Sequence, residues 1–487
     1  MKRVFLVIGS GLVLLVVGVL IKTARLTSMQ VQVDPGIDIA VDGQEVAEHL
    51  ANSLRFRTIS DQGPAQSNAD EFVGLHEFLE ETFPRVHSTL RKELIGDYSL
   101  LYTWKGKEEG LKPILLLAHQ DVVGVEVETE EDWTYPPFEG RIAEGYIWGR
   151  GAMDFKVAVT GILEAVETLL GEGFQPRTTI YLAFGHDEEV GGQRGASQIA
   201  DLLQSRGEEV EYVLDEGLVI TEGMVSGISK PVALVGIAEK GYVSIELTVE
   251  GVGGHSSMPP PQTAVGILST AIHNLEQNKF PARLEGATGQ MFDYLAPEMP
   301  FGMRMLFANL WLFGGLVESQ LAASPAANAT IRTTTAATMF EGSIKDNVLP
   351  TNARAVVNFR ILNGDSIPSV IEHVRRTVDD LRVQIKPVGQ LTSEPSPVST
   401  PNSPNFDVFQ RTIHQVFPEV LVAPGQFVAA TDSRHYAELS SDIYRFCPMW
   451  AGPGDLDGIH GTNERISIEN YEQIVRFYIQ LIHNSAL

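Results

Sequence analysis

Residues 116–121 read Leu-Leu-Ala-His-Gln-Asp, and His119 with Asp121 opens a series of histidine and acidic sites that closes at His460. Imidazole and carboxylate groups delivered from several strand ends can hold divalent cations and move protons beside them, which points to a two-metal hydrolase. His119 ends the apolar run Ile114-Leu115-Leu116-Leu117, which Pro113 bounds, so the imidazole sits at the carboxyl end of a predicted buried strand. Asp121 is spaced to accept the other ring N–H of His119 and so fix its tautomer. Gly149-Arg150-Gly151-Ala152-Met153-Asp154 is a glycine-punctuated loop running into a helix predicted over Val157–Leu170. A lone Asp154 at that junction would read as a helix N-cap. The β-rich run Thr179–Phe184 ends in Gly185-His186-Asp187-Glu188-Glu189, three consecutive acids that repel one another and that cations would stabilise. Glu188 and Glu189 then take different roles, because adjacent side chains diverge. Tyr212-Val213-Leu214 ends likewise in Asp215, so three strands deliver ligand-type groups to one sheet edge. His460 lies in a Gly/Pro/Asp-rich loop just before a helix predicted over residues 467–484.

These groups need a scaffold, and the alternation of apolar runs with helical stretches predicts an α/β catalytic domain, its mixed or parallel sheet flanked by helices. Between Asp215 and His460 the pattern changes. Tyr242 to Glu250 alternates cleanly, with Val243, Ile245, Leu247 and Val249 on one side, as in a sheet with one wet face. It leads to Gly253-Gly254-His255 and a helical stretch of about 262–278; a second strand ends at Val357-Asn358-Phe359-Arg360, and Pro368 to Leu381 reads as a second helix. The expected organisation is a membrane segment over 1–25, a catalytic domain over 26–238 and 393–487, and an inserted two-layer α+β lid over 239–392. The Pro-rich stretch Ser393 to Pro404 marks the return.

The joint pattern resembles the aminoacylase and carboxypeptidase S branch of the di-zinc exopeptidases. Within that branch it is most similar to the membrane-anchored or secreted Gly-X carboxypeptidases and N-fatty-acyl-amino-acid hydrolases. The resemblance rests on His-x-Asp, Gly-Arg-Gly-x-x-Asp-x-Lys, Asp-Glu-Glu-x-Gly-Gly, Asp-Glu-Gly and the late Gly-x-His-Gly. Further matches are Trp133–Phe138, Ala308–Phe313, Arg332–Thr335, Asn347–Pro350, Val357–Arg360 and Thr431–His435. It implies two zinc ions bridged by Asp154, with His119 and Asp215 completing one site and Glu189 and His460 the other. Cobalt or manganese would be possible substitutes. Three carboxylates against four positive charges leave room for a bridging hydroxide. Glu188 would be the general base that takes that water's proton as it attacks an amide carbonyl. Asp121 would support the catalytic group. His255 would donate to the oxyanion, from a neighbouring subunit of a homodimer formed through the lid. Arg360 would hold the substrate's carboxylate, with Arg434 and Asn347 as further substrate-binding residues. The chain departs from the family pattern at Phe155, where an Asp or Asn usually precedes the Lys. The implied reaction is cleavage of an amide next to a free carboxylate, in a Gly-X peptide or an N-acyl amino acid. The contrasting reading is a membrane-tethered, non-catalytic ligand-binding protein on a hydrolase scaffold, which would typically have lost Glu188 or a metal ligand.

Composition narrows the rest. With 487 residues, 44% of them hydrophobic, the chain exceeds one ordinary domain. A net charge of −26 argues against a nucleic-acid partner, since outside the first 25 residues 32 Lys and Arg face 62 Asp and Glu. The single cysteine, Cys447, permits no intrachain disulfide and reads as a buried thiol. Val4 to Ile21 is a run of 18 uncharged, mostly apolar residues behind Lys2-Arg3, longer than a signal-peptide core. It reads as an uncleaved signal anchor holding an extracytoplasmic catalytic domain, with cleavage and secretion as the alternative. Residues 299–317 are unusually apolar for a lid; core or oligomer interface is one reading, an acyl pocket or lipid contact the other.

Overall fold

The computed structural model describes residues 2–60 and 68–486. Among the described residues an eight-stranded mixed sheet runs in the spatial order Arg91–Ile95, Ser99–Trp104, Ile180–Gly185, Ile114–His119, Val213–Thr221, Ile443–Ala451, Val232–Glu239, Leu421–Phe427. The three strands that carry or precede the candidate groups, Ile180–Gly185, Ile114–His119 and Val213–Thr221, are adjacent and parallel, and Asp215 lies third in Val213–Thr221, inside the strand where the sequence suggested its end. Strand pleating sorts side chains between two faces. Ile114, Leu116 and Ala118 join the larger core with the helices Lys156–Gly171 and Ile468–Ser485, whereas Leu115 and Leu117 join a second core with Ala196–Ser205. Both faces are covered, which is why Ile114–His119 is apolar without alternation and fully buried.

A separate four-stranded antiparallel sheet runs Thr334–Glu341, Asn352–Ile361, Gly241–Glu250, Val383–Ser393. Val243, Ile245, Leu247 and Val249 face a core of their own, with the helices Ala264–Gln277 and Ile367–Val378 laid over it. Between these elements the chain returns to the large sheet: Tyr294 and Leu295, on and at the end of the Gly286–Leu295 helix, join the larger core, and that helix packs on Leu421–Phe427. The helices Phe301–Ala308 and Leu310–Leu321 follow. The N-terminal helix Lys2–Ala24 is uncharged and mostly apolar from Val4 to Ile21 and projects with most of its surface bare. Cys447 is buried and free.

Candidate metal centre

Asp154 is the hub of the site. Its Oδ1 lies 3.0 Å from His119 Nε2 and its Oδ2 3.1 Å from His460 Nε2, so one carboxylate faces two imidazoles from opposite ends of the chain. His460 Nε2 is also 3.2 Å from Glu189 Oε2. Ligand atoms of His119, Asp154 and Glu189 lie within 4.8 Å of one another, and so do those of His119, Glu188 and Glu216.

The loop that carries Asp154 is held from behind. Glu464 Oε1 accepts from the N–H groups of Gly151, Met153 and Asp154 at 3.0, 2.7 and 3.2 Å, while Glu464 Oε2 pairs with Arg150 Nη1 at 2.6 Å. Asp154 is therefore not a helix cap: the following helix begins at Lys156 with Phe155 at its N-cap and no side-chain cap bond. Phe155 itself is buried, with its ring stacked 5.9 Å from the His119 ring, and walls the imidazole where the family pattern has a polar side chain. His460 adopts φ 58°, in the left-handed region that costs a non-glycine residue about 1–3 kcal/mol. A Cβ on the following Gly461 would lie 2.2 Å from the carbonyl oxygen of Asp457, so the loop requires glycine there.

Asp121 is buried and accepts from the backbone N–H of Glu188 at 3.2 Å and of Glu189 at 3.1 Å, one through each oxygen. It thus fixes the turn from which the two glutamates diverge. Its own backbone carbonyl, 3.0 Å from His119 Nδ1, is nearer that nitrogen than its carboxylate at 3.4 Å. Asp215 and Glu216 divide differently from the expectation. Glu216 Oε2 reaches 3.5 Å from His119 Nε2, whereas Asp215 accepts the N–H of Glu216 through Oδ1 and keeps Oδ2 buried without a partner. Glu216, Glu464 and Asp432 are the site residues that sequence reasoning missed. Asp432 is buried with both carboxylate oxygens unpartnered.

The electrostatics test whether cations fit. Burial pushes Glu188 well above the carboxylate range, with Glu216, Asp432 and Glu189 adding to it. Burial likewise raises Glu216 to about 8. Hydrogen bonds to Asp154 and Glu189 push His460 up to about 10. Burial opposes the charged form of His119, yet Glu216, Asp121 and Asp154 together hold it well above the ordinary histidine range. Protons here substitute for a missing positive charge. Glu189 Oε1 is also buried without a hydrogen-bond partner. Stacked carboxylates, neutral-capable imidazoles and orphaned oxygens make a donor set that divalent cations satisfy.

The other candidate residues lie in two places. Arg434 donates to the Gly191 carbonyl at 2.8 Å, two residues beyond Glu189. Arg360 lies over the Tyr242 ring at 4.7 Å; burial and the nearby Arg434 press its pKa below the usual arginine range. Lys240, which Arg360 also influences, is lowered by burial to about 7. His255 and Asn347 sit together at a separate two-stranded ladder, where Gly254–His255 pairs with Val348–Leu349 and Ser256 N–H donates to the Asn347 carbonyl. His255 Nδ1 accepts from Ser257 N–H at 3.1 Å, and within this single chain His255 makes no hydrogen bond or ion pair with the metal cluster.

Residues 115–484 match the model of peptidase family M20/M25/M40. The chain belongs to this family. Among its M20 relatives is a probable carboxypeptidase S-like 2 of Dictyostelium discoideum, 44% identical, the match covering 97% of this chain and 93% of that one. The N-fatty-acyl-amino acid synthase/hydrolase PM20D1.1 of Danio rerio is 45% identical over 86% of this chain and 82% of its own. Among solved structures, the M20 metallo-carboxypeptidase Sso-CP2 from Sulfolobus solfataricus superposes with a TM-score of 0.65 at 18% identity, over 91% of this chain and 99% of that one. The M20 chain is a metal-dependent amide hydrolase, and the non-catalytic reading is not favoured.

Proposed function

We propose that this hydrolase takes two zinc ions and cleaves an amide whose amine side carries a free carboxylate, in N-acyl amino acids or short peptides. The observation that carries the two-ion reading is Asp154, whose two oxygens face two different histidines. His119, Asp154 and a carboxylate of the Asp215-Glu216 pair would hold one ion; Asp154, Glu189 and His460 would hold the other. Bound there, the ions would acidify water and polarise the amide carbonyl.

The chain's own groups supply the rest. Glu188, raised by burial and by neighbouring acids, is suited to take a proton from the attacking water and return it to the leaving amine. Asp121 keeps Glu188 and Glu189 at fixed backbone positions through its two oxygens. Arg434, close enough to lower Arg360, would form with it a cationic recess for a carboxylate. His255, which makes no hydrogen bond or ion pair with the candidate ligands among the described residues, supports an oxyanion donor contributed by a neighbouring subunit, with residues 239–392 as the lid and dimerisation unit. The apolar helix Arg3–Ala24 supports a membrane anchor with the catalytic body outside the cytoplasm. The names of the relatives support both substrate classes.

The test is hydrolysis by the full chain in detergent, zinc-loaded or chelator-treated, of matched Gly-X dipeptides and N-acetyl and N-oleoyl amino acids, with Glu188→Ala as control. Zinc-dependent and Glu188-dependent cleavage is the expected result, and the preferred column names the substrate class. No cleavage of any member with two ions bound would overturn the proposal.

A further inference from the structure

Beyond the N-terminal helix, exposed apolar side chains are spread over the body, and four of them fall on one pair of consecutive helices. On Leu310–Leu321, Trp311, Leu312 and Leu316 are 63%, 43% and 54% exposed and lie on one helix face, and Phe301 on the preceding helix is 60% exposed. An apolar face of this kind on a soluble body needs a cover.

The N-terminal helix supplies the clue to what covers it. Most of that helix is bare, but one side of its last turns is covered: Val19 and Thr23, one turn apart, are 6% and 1% exposed. They are clasped by Asn309, at the N-cap of Leu310–Leu321 and fully buried. Its amide donates to the Val19 carbonyl at 3.3 Å and to Thr23 Oγ1 at 3.2 Å, and Thr23 in turn donates to the Val19 carbonyl at 2.7 Å. The Phe301–Ala308 helix packs on the same stretch. A buried amide joining two apolar helices fixes their relative height.

That height is informative. Val4 to Ile21, about 27 Å long as a helix, nearly fills a hydrocarbon layer of ~30 Å. Val19 lies about 4.5 Å along the axis from Lys22, the first charge beyond the run. The residues that grip Val19 are therefore at the edge of the hydrocarbon, and the apolar face begins two residues from Asn309, with a tryptophan, the side chain that favours this depth.

We propose that the Phe301–Leu321 helix pair is a second membrane contact, in which Trp311, Leu312, Leu316 and Phe301 enter the lipid interface beside the anchor. The body would then ride on the bilayer in a fixed orientation instead of swinging on a single helix. This rests on the anchor reading above. With a body this acidic, the attraction is apolar, so a zwitterionic bilayer suffices.

Tryptophan fluorescence tests it. Of the five tryptophans, Trp104, Trp133 and Trp148 are buried and Trp450 is half-buried against Phe417, which leaves Trp311 as the one lipid can reach. The full chain is reconstituted into phosphatidylcholine vesicles with or without brominated acyl chains, and flotation confirms its association. The Trp311-dependent emission, obtained by difference from a Trp311→Phe variant that retains hydrolase activity, should fall by about half or more in brominated vesicles and be shielded from acrylamide. A chain that floats but whose Trp311 is open to acrylamide and untouched by bromine overturns the second contact and leaves the anchor standing. Shielding from both quenchers also overturns it and points to a second copy of the chain as the cover. A full-length chain that does not float overturns the anchor reading, and this proposal with it.

Discussion

Metal loading of this site should expel protons, and the count follows from the geometry. In the metal-free chain His460 is pushed up to about 10 by its bonds to Asp154 and Glu189, and Glu216 is raised by burial to about 8. At pH 7 the first is essentially fully protonated and the second about nine-tenths so. A cation requires neutral imidazole and ionised carboxylate, so these two groups together release about two protons per chain. The sign is fixed: the proton-bound form belongs to the metal-free state, so apparent affinity falls as pH falls. Two protons correspond to roughly a hundredfold loss between pH 7 and pH 6. Calorimetric titration of the chelator-treated chain with zinc, in buffers of different ionisation enthalpy, reads the proton count directly, and Glu216→Gln should reduce it by about one. Release of less than about half a proton, or an affinity unchanged across that range, would refute the electrostatic account of the cluster.

Three further outcomes follow. Glu188→Gln should lower kcat/KM by roughly 10²–10⁴ with metal content unchanged, as steady-state kinetics beside metal analysis would show; loss of metal would assign Glu188 as a ligand instead. His255→Ala should lower kcat about a hundredfold, whereas Arg360→Ala should mainly raise KM; a shared profile would remove the distinction between oxyanion donor and carboxylate clamp. Arg150→Ala strands the fully buried Glu464 carboxylate and should cost ~3–5 kcal/mol in urea unfolding, while an effect below about 1 kcal/mol would mean that the pair does not brace the Asp154 loop.

Much of the catalytic sheet was legible because its strands are uninterrupted apolar runs that stop at a charged residue. Ile114–His119 ends at His119 and Ile180–Gly185 three residues before Glu188, and the helices read over 157–170 and 467–484 span Lys156–Gly171 and Ile468–Ser485. Glu216 was not legible for a local reason. Asp215 pairs with Arg445 and Leu218 with Phe446, so Glu216 and Gly217 are extra residues bulged out of the ladder. Gly217 has φ 154°, and a Cβ there would lie 2.6 Å from Arg445 Cβ. The bulge turns Glu216 toward His119, and strand alternation cannot predict which of two adjacent acids it favours. Glu464 escaped notice because its partners, the N–H groups of residues 151–154, lie more than 300 residues away in sequence. The return of Gly286–Leu295 to the large sheet carried no composition change to mark it.

The clasp between Glu464 and the 150–154 loop also sets a timetable. The chain is made from its N-terminus, so the Lys2–Ala24 helix emerges first and His460 and Glu464 almost last. Until they arrive, the Asp154 loop has nothing to accept its N–H groups and the centre lacks His460, the imidazole that faces both Asp154 and Glu189. A nascent chain therefore cannot close its centre during synthesis. If the body is exported behind the anchor, it crosses the membrane unloaded and draws its metal from the compartment where it finishes folding. The metal level there, and not that of the cytosol, then determines how much of the protein becomes an enzyme.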